Sequence, residues 1–203
     1  MTTLLEILRR AQDLGMFGPG AVETQLAHAE AFVGLVGGLD DHEPFLDLGS
    51  GGGLPGLALA MRPGTRGTLL DAQARRVEFL AGAVTALGLG DRIMVVTARA
   101  EDAARDAVHR GQYGLVIARS FGGPAVTAEC AVGFLQAGGR LVVSEPPGGD
   151  AERWPEAPLA TLGLTPPRLT SAAGASAAIF DHPDATPARW PRRPGIPSKR
   201  PLW

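Results

Sequence analysis

Two periodicities alternate along the chain, and the alternation outlines a fold before any chemistry is considered. Apolar residues three and four positions apart mark an amphipathic helix to about Leu14, which Thr3 and Glu6 open as a capping box. Gly18-Pro19-Gly20 breaks it, and a second helix runs from Ala21 to Leu39, ending in Gly37-Gly38. From there, short apolar runs read as strands at 44–48, 67–71, 92–97, 114–118 and 140–144. Helical spacing fills the gaps: a short helix to about 61, Arg75 to Leu87 with Val77, Leu80 and Val84 on one face, and further helices over 101–110, 123–136 and 151–163. Two shorter strands close the pattern near 165–170 and 176–181, joined through the low-complexity stretch Ser171 to Ala178, which reads as a hairpin link. Apolar strands of four to seven residues alternating with helices predict a mostly parallel, doubly wound, Rossmann-like α/β sheet of seven strands with helices on both faces.

Composition narrows this frame. A chain of 203 residues, 45% of them hydrophobic, buries a full core as one domain with small appendages: a helical extension over 1–40, the α/β domain over 41–185 and a Pro-rich tail over 186–203. Its single cysteine, Cys130, excludes an internal disulfide framework and lies in Ala128-Glu129-Cys130-Ala131-Val132, a packed helix that makes it a structural thiol. Four scattered histidines (His28, His42, His109, His182) lack metal-ligand spacing. No run of eighteen apolar residues occurs, and the N-terminal stretch is too short and too charged for a signal peptide, so a soluble, cytoplasmic, monomeric protein is expected.

Charge is uneven. The net value is −2, yet Arg189, Arg192, Arg193, Lys199 and Arg200 crowd the last 17 residues without an acid, leaving 14 bases against 21 acids elsewhere. A basic end on an acidic body points to a polyanionic partner. A solvated end would look the same, since Pro187, Pro191, Pro194, Pro197 and Pro201 discourage regular structure.

The densest chemistry lies in Phe45-Leu46-Asp47-Leu48-Gly49-Ser50-Gly51-Gly52-Gly53-Leu54-Pro55-Gly56. Glycines at a strand-to-helix turn bring backbone N–H groups close to a ligand. Asp47, just before them, suits a ligand with an ammonium group better than a pyrophosphate, which favours S-adenosylmethionine (SAM) over a dinucleotide. Gly51-x-Gly53-x-x-Gly56 also matches the dinucleotide fingerprint, but Pro55 interrupts it. Asp71 ends the second strand, where a carboxylate binds ribose hydroxyls in either case.

These stretches resemble the glucose-inhibited division B family, as do Arg75-Arg76-Val77-Glu78-Phe79-Leu80, Ala98-Arg99-Ala100-Glu101, Ile117-Ala118-Arg119-Ser120 and the ending Arg193-Pro194-Gly195-Ile196-Pro197-Ser198-Lys199-Arg200-Pro201-Leu202. The resemblance implies a class I SAM-dependent methyltransferase that modifies guanine N7 in 16S ribosomal RNA of the small subunit. Cofactor contacts then fall to Asp47, Gly49, Ser50, Gly51, Gly53, Leu54, Asp71, Ala100, Glu101 and Arg119. Arg192, Arg193, Lys199 and Arg200 are the candidates for RNA contact. Guanine N7 needs no deprotonation, so no proton-transfer residue is expected, and Phe121 either stacks on a base or packs beneath the cleft.

Several stretches depart from the family. The N-terminal helical region is shorter, and Ala31 and Phe32 replace an Asp and a Ser after His28. Ser144-Glu145-Pro146-Pro147 stands where the family has Lys-Gly. Those prolines follow the fifth strand, not the fourth, so they are not the Pro-Pro motif of amino-group methyltransferases. Altered acceptor residues leave two alternatives: a SAM-dependent methyltransferase for a small molecule or another RNA, and a non-catalytic SAM-binding paralogue.

Overall fold

A computed structural model describes residues 2–38 and 43–203. Helix α1 (Leu4–Asp13) opens on the expected capping box, with the Glu6 amide donating to Thr3 Oγ1 at 3.2 Å and the Thr3 amide to Glu6 Oε2 at 2.7 Å. Helix α2 (Val22–Leu35) follows; the expected helix end at Leu39 lies outside the described residues. The body then runs β1 (Phe45–Leu48), α3 (Gly56–Ala60), β2 (Gly67–Asp71), α4 (Ala74–Ala86), β3 (Ile93–Thr97), α5 (Ala100–Ala103), β4 (Tyr113–Ala118), α6 (Pro124–Val132), β5 (Leu135–Glu145), α7 (Glu156–Leu162), β6 (Arg168–Ala172), β7 (Ala175–His182) and α8 (Ile196–Lys199).

The seven strands form one sheet in the order β3-β2-β1-β4-β5-β7-β6, with β1 to β5 parallel and β7 antiparallel to both neighbours. Strands β1, β2 and β4 are buried throughout, because helices cover both faces. Alternation along β1 sorts the core into two layers. Phe45 packs with α2, α3 and α4, while Leu46 and Leu48 pack with α6 and α7. Strand order reverses between β1 and β4, so the cleft opens where their C-terminal ends diverge.

Five expected elements differ. The helix over 101–110 stops at Ala103, and the helix from about 123 stops at Val132. Gly138-Gly139 is not a turn ahead of the fifth strand. That strand already begins at Leu135, pairs there with Tyr113, bulges through Gly138 (φ +81°) and resumes at Arg140 opposite Leu115. Pro155 divides the expected 151–163 helix into a 3-10 turn (Ala151–Arg153) and α7. The hairpin link shrinks to Ala173-Gly174, both at positive φ, with Ser171 paired to Ser176.

The tail is held against the body. Trp190 is buried, with its indole N–H donating to the Thr161 carbonyl at 2.8 Å. The Arg110 guanidinium donates to the carbonyls of Thr186 at 3.0 Å and Trp190 at 2.9 Å. Prolines excluded a long helix, yet their missing donors left carbonyls for arginines of the body to satisfy.

Candidate cofactor and acceptor site

The glycine loop is tied down from beneath and from the side. Asp47 accepts from the Gly56 amide at 3.1 Å, and a Cβ on Gly56 would stand 2.3 Å from the same Oδ2, so only glycine lets α3 start this close to β1. The Gly51 amide donates to Asp71 Oδ2 at 2.9 Å, and Asp71 Oδ1 accepts from the Gln73 amide at 2.9 Å. Both acids thus shape the loop. Ser50 Oγ adds a bond to the Asp47 carbonyl at 3.0 Å.

Asp47 was expected to touch the ligand's ammonium group directly. Its carboxylate is instead enclosed beneath the loop, with the residue 1% exposed, and it does not line the adjoining cavities. Burial pushes its carboxyl up to about 7, against the Gly56 amide and the Arg119 charge, which pull it down. Gly53 (φ +105°) also lies off the cavity wall, turned onto Leu57.

The remaining expected cofactor residues line three adjoining hollows. Gly49, Asp71, Ala72, Ala100 and Phe121 border one of about 200 Å³ at the ends of β1 and β2. Ala100, Glu101, Phe121 and Ser198 border a second of about 330 Å³. Gly49, Ser50, Gly51, Leu54 and Arg119 border the largest, about 730 Å³. Phe121 lies on the border of all three, and its ring sits so close to Gly49 that a Cβ there would be 2.6 Å from Cδ2. Ser120, just before it, holds φ +56°, an uncommon conformation for a non-glycine residue at the end of a strand.

Arg119 directly follows β4 and is half-buried. Burial lowers its pKa while Asp47 raises it, and no hydrogen bond engages its guanidinium among the described residues. Across the large hollow stands His28 from α2, whose pKa burial and the Arg119 charge both lower. The far wall is Glu145, Arg153 and Trp154: the Arg153 guanidinium pairs with Glu145, and the Trp154 indole donates to its other oxygen at 3.2 Å.

Sequence reasoning missed Phe17, Gln25, Arg153 and Trp154 on these walls. Phe17 closes over Gly52, where a Cβ would be 2.8 Å from its ring. The one signal for it was Met16-Phe17, an apolar pair just ahead of the Gly18-Pro19-Gly20 break. Among the four RNA candidates, Arg193, Lys199 and Arg200 are exposed. Arg192 turns inward onto Glu129, at 2.8 Å from Nε and 2.6 Å from Nη2.

Comparison with known proteins agrees with this geometry. The sequence profile of the family described as GidB, rRNA small subunit methyltransferase G, matches residues 27–145. The chain belongs to that family. Among curated relatives, Ribosomal RNA small subunit methyltransferase G of Rubrobacter xylanophilus is 38% identical over 77% of this chain and 64% of its own length. The Dehalococcoides mccartyi protein of the same name is 32% identical over 89% of this chain and 80% of its own. The chain thus spans just under two thirds of the first of these relatives.

Solved structures carry the same class I methyltransferase fold. An RNA methyltransferase from Salinibacter ruber in complex with S-adenosyl-L-homocysteine is 16% identical, with TM-score 0.59 over 84% of this chain and 97% of its own. The Thermus thermophilus 16S rRNA N2 G1207 methyltransferase, in complex with SAM and guanosine, gives TM-score 0.54 at 21% identity over 79% of this chain and 40% of its own.

Proposed function

We propose that this member of the rRNA small subunit methyltransferase G family uses SAM to methylate N7 of a guanine in 16S ribosomal RNA, acting in the cytoplasm as a monomer. The observation that carries the reading is the adjacency at Phe121: a small hollow bordered by Gly49 and Asp71 beside a 730 Å³ hollow bordered by the half-buried Arg119. The residues fit the cofactor. The cradle at Gly49 has no room for a side chain, Asp71 retains lone pairs for ribose hydroxyls, and Arg119 is a half-buried cation whose guanidinium makes no hydrogen bond among the described residues.

When bound, SAM supplies an electrophilic methyl group, and guanine N7 offers an in-plane lone pair without prior deprotonation. The chain's task is then to position and to exclude water. Gly49 to Gly51 hold the donor side, Arg119 takes the methionine carboxylate, and Phe121 fixes the junction between the two hollows. On the acceptor side, Glu145 is answered by Arg153, whose side chain is 38% exposed and keeps a cation at the cleft for a phosphate.

The test is methylation of small subunits lacking the modification with labelled SAM, followed by chemical cleavage at 7-methylguanosine. Label in the 16S RNA with cleavage at one guanine is the expected result. Label only in free nucleosides or small molecules would instead favour the retargeted enzyme. SAM binding without transfer to any acceptor would favour the non-catalytic paralogue.

A further inference from the structure

The C-terminal segment touches both walls of the cleft, and its two attachments are separable. At one end, the Gly195 amide donates to Glu101 Oε1 at 2.8 Å. The Glu101 side chain is therefore directed at the segment, and Ser198 joins Ala100, Glu101 and Phe121 around the 330 Å³ hollow. At the other end, the Trp203 indole N–H donates to the Arg153 carbonyl at 2.9 Å, and its ring meets Trp154 edge-on at 6.4 Å between centroids. Arg153 and Trp154 are the two residues that hold Glu145 on the acceptor wall. Just ahead of the first attachment, Arg192 anchors the segment to Glu129 and donates to the Arg200 carbonyl at 2.8 Å, closing it into a compact loop.

We propose that residues 190–203 form a positioning strap: through Gly195 and Glu101 it sets the cofactor wall, and through Trp203 and Arg153 it sets the acceptor wall. The proposal rests on the methyltransferase reading above and adds two positioning residues to it, the Glu101 side chain and Trp203. Neither needs to touch a ligand. Glu101 orients the first turn of α5, whose backbone borders the hollow, and Trp203 fixes the backbone from which Arg153 projects. A strap that only stabilised the fold would affect both walls together, whereas this connectivity predicts that they respond independently.

The experiment compares Glu101→Ala, Glu101→Gln, Trp203→Ala and Trp203→Phe in the full chain. SAM affinity is read by calorimetry, RNA KM by methylation of unmodified small subunits, and folding by thermal unfolding. Glu101→Ala should weaken SAM binding about tenfold, and Glu101→Gln, which keeps an acceptor for the Gly195 amide, should restore most of it. Trp203→Ala should raise the RNA KM about tenfold with SAM affinity unchanged within about twofold, and Trp203→Phe, which keeps the ring but not the N–H, should fall between. Should Glu101→Ala fail to fold, Glu101→Met, of similar volume, takes its place.

Equal losses of SAM and RNA binding in both sets, or no loss in either, would overturn the strap. If the wild-type chain methylates no RNA, the functional reading falls. SAM calorimetry still decides the strap in that case: full affinity in Glu101→Ala overturns it, and the tenfold loss with rescue by Gln supports it.

Discussion

Arg192 meets the wholly buried Glu129 with three donors, its own amide at 2.9 Å, Nε at 2.8 Å and Nη2 at 2.6 Å. The pair joins the tail to α6 inside the protein, so Arg192 serves the fold first. Removing one partner of a buried pair leaves an uncompensated charge, which costs about 3–5 kcal/mol. Arg192→Ala should therefore lower the melting temperature by roughly 10 °C, and Arg192→Met with Glu129→Leu should recover most of it. A single variant that melts like wild type but binds RNA less tightly would return Arg192 to the RNA surface.

Asp47 makes stability depend on pH with a definite sign. Its carboxyl titrates near the ordinary 3.8 when unfolded but at about 7 when folded. The folded state therefore holds the proton more tightly. Stability is greatest below the lower value, declines as pH rises between the two, and above 7 has lost up to about 4 kcal/mol. Asp47→Asn should raise the melting temperature above pH 7 and leave it unchanged near pH 4. A cation bound at the loop favours the ionised form, so SAM affinity should strengthen between about pH 5.5 and 7.5 in the wild type and stay flat in the variant. A wild-type affinity that does not vary over that range would sever the link between Asp47 and the ligand.

Gly49 is confined both by its φ of +76° and by the Phe121 ring. Gly49→Ala adds about 1–2 kcal/mol of backbone strain and displaces the ring. Calorimetry should show SAM affinity reduced at least about tenfold, with Phe121→Leu restoring only part of it because the backbone strain remains. Wild-type affinity in Gly49→Ala would move the cofactor elsewhere.

Among the described residues, no hydrogen bond engages the Arg119 guanidinium. Arg119→Met should change stability by no more than about 0.5 kcal/mol. It should nevertheless weaken SAM binding roughly tenfold or more, the value of a charge-assisted bond to a carboxylate. A large drop in melting temperature would make it a structural residue.

The exposed cations of the tail have a different signature. Replacing Arg193, Lys199 and Arg200 with alanine should reduce the slope of log affinity for RNA against log salt by about 2, at about 0.7 per contact on single strands. An unchanged slope would place the RNA on another face.

Strands β1, β2 and β4 could be read from sequence because burial on both faces makes them uninterrupted apolar runs. The start of β5 could not, since Gln136, Gly138 and Gly139 look like a loop until Tyr113 and Leu115 are placed beside them. The helix expected over 101–110 was longer than the one found for a similar reason. Ala104 packs against Gly133, where a Cβ would stand 2.8 Å from both the Ala104 methyl and Pro191, and Arg105 and Arg110 reach carbonyls of the tail. Those partners lie about thirty to eighty-six residues away in the chain.

Local order along the chain was enough for the glycine loop, for Asp71 at the end of its strand and for the family, because each is written in consecutive residues whose backbone geometry is nearly self-determined. Tertiary structure alone decided that Asp47 lies beneath the loop, that Phe17 and Trp154 wall the cleft, and that one tail arginine turns inward while its neighbours face solvent. Burial and charge pairing depend on distance in space. Arg192 and Glu129, 63 residues apart in the chain, become partners only when the sheet brings α6 beneath the tail.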